Sequence, residues 1–321
     1  PNRLGEGFRQ TLTERAQDHP LFTVELLRAM QERGDLVQDE AGRWVEGPAL
    51  DWDLLPARVE GVIGERIERL GEELHQILTV ASVEGEDFTA EVVAQVQSLE
   101  ARALVRRLSG ELQREHRLVR AQGLRRLGPR RLALYRFQHH LFQRYLYNHL
   151  DQAERAYLHE DVGTVLEALY GEQSDEVAVQ LARHFVEAGV TAKAAHYLGR
   201  AGALASERYA NEEAEDHFRA ALELVDVEAE RADLLRELGR VLSLQGRYEE
   251  AIGVWQEGIA AYRALDDLDG IARLYARTAR AAWNLGDMPR GLALCREGMV
   301  AVGEAPESPD QADLLHETAR A

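Results

Sequence analysis

The sequence predicts a mainly α protein in which a helical region closed by a small β-hairpin is followed by a solenoid of stacked helix pairs. Three observations lead there. From about Asp175 onward, small residues return at a constant place in successive helical segments. Between Leu55 and Val119, apolar residues recur at helical spacing. One stretch, around Gly128-Pro129, alternates apolar and basic residues with the period of a strand.

Composition bounds the rest. The chain has 321 residues, 45% of them apolar, enough to bury a substantial core in two or three units. No apolar run approaches the roughly 18 residues of a membrane span, and the start, PNRLGEGF, lacks both an initiator Met and a secretion signal. A soluble, cytoplasmic segment of a longer protein, with no membrane partner, is the expectation. Cys295 is the single cysteine, which excludes an internal disulfide and a thiol-rich zinc site. The formal charge of −18 opposes indiscriminate nucleic-acid binding by the whole chain, although a local basic patch can hide in that sum.

The repeats justify the solenoid. The clearest unit is LLRELGRVLSLQGRYEEAIGVWQEGIAAY, Leu234 to Tyr262. It resembles the tetratricopeptide pattern, with Leu238-Gly239, Gly246, Tyr248, Ala251 and Trp255 at the motif positions. Small residues there let two antiparallel helices approach while large ones fill the gaps. A second copy, LGRAGALASERYANEEAEDHFRAALEL, places Gly202, Ala214, Phe218 and Ala221 correspondingly. A third, LYARTARAAWNLGDMPRGLALCREGM, keeps Ala279, Gly286 and Gly291 but has Cys295 where the aromatic is expected. Upstream, LARHFVEAGVTAKAAHYL supplies Ala182, Gly189 and Ala194, and DQADLLHETARA at the end reads as the first helix of a further repeat.

Stacked pairs of this kind present an inner face built from the first helix of each pair, usually a binding surface. By the repeat's phase, Arg183, Arg236, Arg240, Arg273, Arg280, Trp283 and Asn284 are expected to point into that groove. Several guanidinium forks beside one aromatic suit an anionic or peptide ligand. The alternative is a solvated face held by intrahelical ion pairs.

The middle of the chain has a different texture. PARVEGVIGERIERL, EELHQILTVASV, FTAEVVAQV and LEARALVRRLSGELQREHRLV read as helices, and LVRAQGLRRLGPRRLALYRF reads as a β-hairpin. Helices followed by a hairpin make a winged helix-turn-helix. Eleven arginines lie between Arg102 and Arg136, against only Glu111 and Glu115. Arg125, Arg126, Arg130 and Arg131, around the hairpin turn, form a patch for an acidic partner or for nucleic acid.

Taken in order, these segments resemble the C-terminal half of signal-transduction ATPases with numerous domains (STAND), in particular bacterial maltose-regulator and AfsR-like proteins. DHPLFTVELLRAMQERGDLV resembles the end of that family's nucleotide-binding lid, and LPARVEGVIGERIERL with Phe137 to His139 its winged helix. The resemblance implies residues 1–52 as the end of the lid with a connecting hairpin, 53–172 as the winged helix and 173–321 as a tetratricopeptide sensor. It further implies ATP or ADP bound in the full-length parent, between its own NTPase domain and the winged helix. Pro20 matches the family's proline near the adenine, although Asp18 replaces the usual glycine. Gln138-His139-His140 stands where related proteins carry Met-His-Asp, which makes His139 the candidate phosphate sensor and leaves the role of His140 open. On chemistry alone, a histidine at a helix start adds a donor to backbone N–H groups that favour an anion, or serves as a hydrogen-bonded structural residue.

No G-x-x-x-x-G-K-[ST] occurs, so no phosphate cradle is present and this chain is not expected to hydrolyse ATP. G-x-S-x-G and H-E-x-x-H are also missing, and no catalytic residue or cofactor is assigned to this chain. A metal centre from His139, His140 and His149 is disfavoured, because adjacent rings are expected to diverge on a helix. The expected function is a regulatory sensor whose groove binds a protein, peptide or small-molecule inducer. The alternative is a DNA-binding winged helix with a tetratricopeptide oligomerisation arm.

Overall fold

The computed structural model describes residues 4–16, 23–24, 26–27, 30–31, 34–39, 42–48, 50, 63–64, 66–303 and 308–320. The protein is mainly helical and divides into two units, Pro1–Val165 and Leu166–Ala321, with two small antiparallel sheets in the first. Among the described residues no helix is long and apolar enough to cross a membrane.

In the first unit, helix α1 (Glu6–Ala16) packs Phe8 against Met30 and Leu36. Strands β1 (Leu36–Gln38) and β2 (Trp44–Glu46) form a short hairpin beside them. A larger core follows. Helix α2 (Glu72–Glu84) buries Leu74, Ile77, Leu78 and Val80 at the 3–4 residue spacing of one helical face. Gly85 ends it, and β3 (Asp87–Thr89), α3 (Ala90–Val96) and α4 (Ala101–Arg107) come next. Glu100 caps α4 by accepting the Arg102 and Ala103 N–H groups at 3.0 and 2.7 Å, satisfying two of the donors every helix start leaves open. The helix continues from Leu108 to Glu115 in π geometry.

Strands β4 (Val119–Leu127) and β5 (Arg130–Phe137) make the hairpin that the alternating pattern predicts, with Leu127 opposite Arg130 across the two-residue Gly128-Pro129 turn. The sheet has a third member that the sequence does not announce. β3 pairs with β5, giving the order β3-β5-β4, and Phe88 of β3 packs its ring 5.3 Å from that of Phe137. Helices α5 (His140–His149) and α6 (Gln152–Tyr170) follow, and the division between the units falls within α6.

The second unit is a run of antiparallel helices: α7 (Ala178–Ala188), α8 (Thr191–Glu207), α9 (Asn211–Leu224), α10 (Glu228–Leu244), α11 (Tyr248–Ala264), α12 (Leu268–Asn284), α13 (Met288–Val302) and α14 (Pro309–Arg320). Each packs on the next in sequence, and α8 with α10 and α12 with α14 also meet along one side, the packing of a helical repeat. Gly246 and Gly286 sit in the turns inside successive pairs with φ of +78° and +83°, a conformation that a side chain strains.

Complementary sizes hold each pair together. Gly202 of α8 receives the ring of Phe218 from α9, and Gly239 of α10 receives the indole of Trp255 from α11. The α12–α13 pair inverts this arrangement. Its large residue is Trp283 on the first helix, its small one Gly291 on the second, and the indole lies against that glycine. The inversion accounts for Cys295 where the repeat wants an aromatic. With Trp283 filling the pair from the other side, the Cys295 position needs only a small buried side chain, and Cys295 is fully buried.

Candidate functional site

The helical phase of α10 and α12 builds the site. Residues three and four apart share a helix face, so Arg236 and Arg240 line one side of α10, and Arg273, Arg277, Arg280 and Asn284 one side of α12. Most of these guanidiniums are neutralised within the protein. Arg236 donates to Asp233 at 2.5 Å and to Glu237 at 3.1 Å. It also donates to the Tyr262 hydroxyl at 3.1 Å, which in turn donates to Asp233 at 2.8 Å. Arg240 donates to the other Glu237 oxygen at 2.8 Å and to Ser206 of α8 at 2.8 Å. Arg273 pairs with Asp310, and Arg280 with Glu317, both carboxylates belonging to α14.

These pairs shape the electrostatics. Burial pushes the Glu237 carboxyl up, but hydrogen bonds from Arg240 and Arg236 outweigh it and hold Glu237 below the usual carboxylate range. Asp310 is likewise held low by the hydrogen bond from Arg273, against the opposing effect of burial. Burial and desolvation raise the Tyr262 hydroxyl to about 12, with Asp233 adding to the rise.

Arg277 stands apart from its neighbours. Its Nη1 is buried with no hydrogen-bond partner among the described residues. Burial lowers its pKa, Glu237 opposes that, and Arg236, Arg273 and Arg240 reinforce it. Arg277 helps line a cavity of about 260 Å³ together with Arg240, Arg280, Asn284, Leu244 and the indole of Trp255. Arg277 is not among the groove residues expected from the repeat's phase, although its spacing of four from Arg273 and three from Arg280 is the signal that identifies it.

The other groove residues divide. Arg236, Arg240 and Arg273 lie within electrostatic reach of Arg277, and Arg240, Arg280 and Asn284 line the cavity with it. Trp283 does not point into the groove as expected. Its indole is turned into the α12–α13 pair by the space at Gly291, and Trp255 is the aromatic on the cavity. Arg183 belongs to α7, which packs on α8, and its side chain bonds His184 of its own helix at 3.3 Å. Arg183 is not among the residues that line the cavity beside Arg277.

His139 lies just before α5, its backbone extended (φ −146°, ψ 134°), and its Nδ1 accepts the Leu141 N–H at 3.2 Å as the helix cap. An Nδ1 that accepts carries no proton, so the neutral ring bears its proton on Nε2. The expected divergence of the two rings is not found. Because His139 precedes the helix instead of belonging to it, its ring lies alongside that of His140, with centroids 4.8 Å apart. His140 Nε2 is buried without a hydrogen-bond partner among the described residues. Burial, then His139, Arg15 and Arg144, push the His140 pKa down to about 3, so this ring is neutral at physiological pH. His149 bonds the Tyr145 carbonyl oxygen at 2.7 Å. Among the described residues no three or more His, Cys, Asp or Glu side chains are gathered to hold a metal. Pro20 and Asp18 lie outside the described residues.

On the hairpin, Arg126 stands opposite Arg131, Leu127 opposite Arg130 and Arg125 opposite Leu132, and all four arginines are exposed. Two ion pairs form elsewhere in the basic stretch. Arg136 pairs with Asp87, and Arg107 with Glu73 at 2.6 Å.

No protein-family model matches the chain, and no curated protein matches it. Among solved structures it is similar to BtubC (BKLC) from P. vanneervenii, at 14% identity and a TM-score of 0.37, over 78% of this chain and 94% of that one. It is also similar to a Signal Transduction ATPase with Numerous Domains (STAND) protein with a tetratricopeptide repeat sensor from Pyrococcus horikoshii, at 13% identity and a TM-score of 0.35, over 98% of this chain. The chain spans 47% of the length of that second protein.

Proposed function

We propose that the chain is a regulatory sensor and effector-binding module. The helices of 173–321 take up an inducer, a peptide or a protein on the face shared by α8, α10, α12 and α14. The region 53–172 acts as a winged helix that passes the event to an ATP-binding domain of a longer parent. The observation that supports this reading is the convergence of Arg240, Arg277 and Arg280 on one cavity, with the Nη1 of Arg277 left without a hydrogen-bond partner among the described residues. Binding there shifts a conformational equilibrium only through a difference in affinity between two states. The order of helices α2, α3 and α4 before the β4–β5 hairpin supports the winged-helix assignment.

The nucleotide part of this reading rests on the sequence resemblance alone. The residues present do not by themselves fit a nucleotide site: the chain has no P-loop, and His139 is 4% exposed with Nδ1 committed to the α5 cap. No catalytic step is therefore assigned to this chain.

The test is a titration of defined small anions and acidic peptides into the full chain by calorimetry. The reading expects at least one ligand whose affinity falls tenfold or more in Arg240→Ala/Asn284→Ala while the helical circular dichroism is unchanged. Ligands indifferent to both substitutions would rule this face out.

A second reading is favoured by the exposed hairpin arginines Arg125, Arg126, Arg130 and Arg131. They suit duplex phosphates, with the helical repeats as an oligomerisation arm. That reading expects steeply salt-dependent DNA binding, lost when the four are neutralised, and a flat mobility shift at low salt removes it.

A further inference from the structure

We infer that the cavity around Arg277 is a carboxylate-recognition site, taking the acid group of a ligand whose adjoining portion is apolar. This rests on the groove reading above and names its ligand chemistry.

Charge matching comes first. Among the described residues, Arg236, Arg240, Arg273 and Arg280 each hydrogen-bond a carboxylate, drawn from Asp233, Glu237, Asp310 and Glu317. Arg277 lies among them, its charge favoured by Glu237 and disfavoured by Arg236, Arg273 and Arg240, and its Nη1 has no acceptor among the described residues. A half-buried guanidinium with an unpaired Nη1, favoured only by the nearby Glu237 and opposed by three arginines, is the place where an arriving anion gains most and displaces least. Every other cation of the cluster would have to give up an internal partner first.

Shape and polarity then select the anion. Arg277 and Arg280 lie three residues apart on α12, with Asn284 four further on, so all three present polar groups along one line. Trp255 and Leu244 give the lining of the same cavity its apolar part. A volume of about 260 Å³ lies just below the usual range of small-molecule sites, about 300–1,000 Å³, and fits a short acid or the end of a longer ligand. One unmatched guanidinium calls for one negative charge. A carboxylate meets that count and matches the planar guanidinium, whereas a dianionic phosphate exceeds it.

The carboxylate can belong to a free acid or to a peptide C-terminus, and the probes separate these. Hexanoate, its neutral analogue hexanamide, inorganic phosphate, and an N-acetylated tripeptide ending in leucine with a free or an amidated C-terminus are titrated into the full chain. Binding is followed by ligand-observed magnetic resonance. Hexanoate is expected to bind with a dissociation constant on the order of 1 mM, hexanamide and phosphate at least tenfold more weakly. A free-acid tripeptide that binds tenfold better than hexanoate assigns the site to peptide ends, and the reverse assigns it to free acids. Arg277→Met is expected to weaken the acid at least tenfold, Arg277→Lys less. Because Met removes a guanidinium whose Nη1 is buried and unpaired, Arg277→Met also melts no lower than the parent, which a purely structural arginine would not allow. Failure of any acid to bind, affinity within twofold in Arg277→Met, or a melting temperature lowered by several degrees overturns the site. Acid binding that is lost with Arg240→Ala but indifferent to Arg277→Met overturns this site and leaves the groove reading standing. Larger ligands that ignore the groove, beside an acid that still depends on Arg277, overturn the groove reading and leave this site.

Discussion

The indole of Trp255 lies against Gly239, and its Nε1–H donates to the carbonyl oxygen of Arg236 at 3.1 Å. One side chain thus closes the α10–α11 pair and fixes the backbone from which Arg236 projects toward the cluster. The same contact shows why the repeat asks for glycine and an aromatic at these two places.

Gly239→Ala is expected to destabilise the second unit by about 2–3 kcal/mol, because a Cβ there would stand 2.7 Å from the indole Cε2 in a packed pair. Gly253→Ala is the matched control. Gly253 is exposed on α11, and a methyl group added there would meet no atom within 4 Å, so the change should stabilise by about 0.5–1 kcal/mol through helix propensity. Urea denaturation of the two variants gives the comparison, and equal effects would mean that the Trp255 contact does not constrain the pair.

His139→Ala is expected to cost about 1 kcal/mol and to speed amide exchange in the first turn of α5, because the Leu141 N–H loses its acceptor. His139→Asn should recover most of the loss, since asparagine is a strong helix cap. An alanine variant with unchanged stability and exchange would show that the cap contributes nothing.

The pH dependence of the first unit should report His140. Its folded pKa, about 3, lies below the unfolded value of 6.5, so the unfolded chain binds the proton first. Stability is therefore fully present above pH 6.5 and is lost as pH falls from there toward 3. Burial is the largest cause of the shift, and His139, Arg15 and Arg144 each add to it. Denaturation midpoints at pH 7.5 and 5.0 should fall clearly in the parent and less in His140→Gln; identical slopes would assign the loss to other groups.

The helical repeats were legible because a small residue recurs twelve positions after Ala182, Gly202, Gly239 and Ala279, and an aromatic sixteen positions after Gly202 and Gly239. The hairpin was legible from the alternation around Gly128-Pro129. What stayed hidden depends on contacts distant in sequence. Strand β3 is three residues long and offers no period, so only its pairing with β5 reveals it. The reversal of Trp283 into its own pair needs Gly291 as its receiving surface, and a phase argument on α12 alone turns the ring the wrong way. Arg277 became distinctive only when Asp310 and Glu317 of α14 were seen to neutralise Arg273 and Arg280, each 37 residues away.

Amide hydrogen exchange on the full chain, with and without saturating hexanoate, tests most directly that this face of the second unit is a ligand site. Slower exchange is expected in α10 and α12, around Arg240 and from Arg277 to Asn284, with α7 and the β4–β5 hairpin unchanged. Unaltered exchange in α10 and α12, or protection confined to the hairpin, would contradict it.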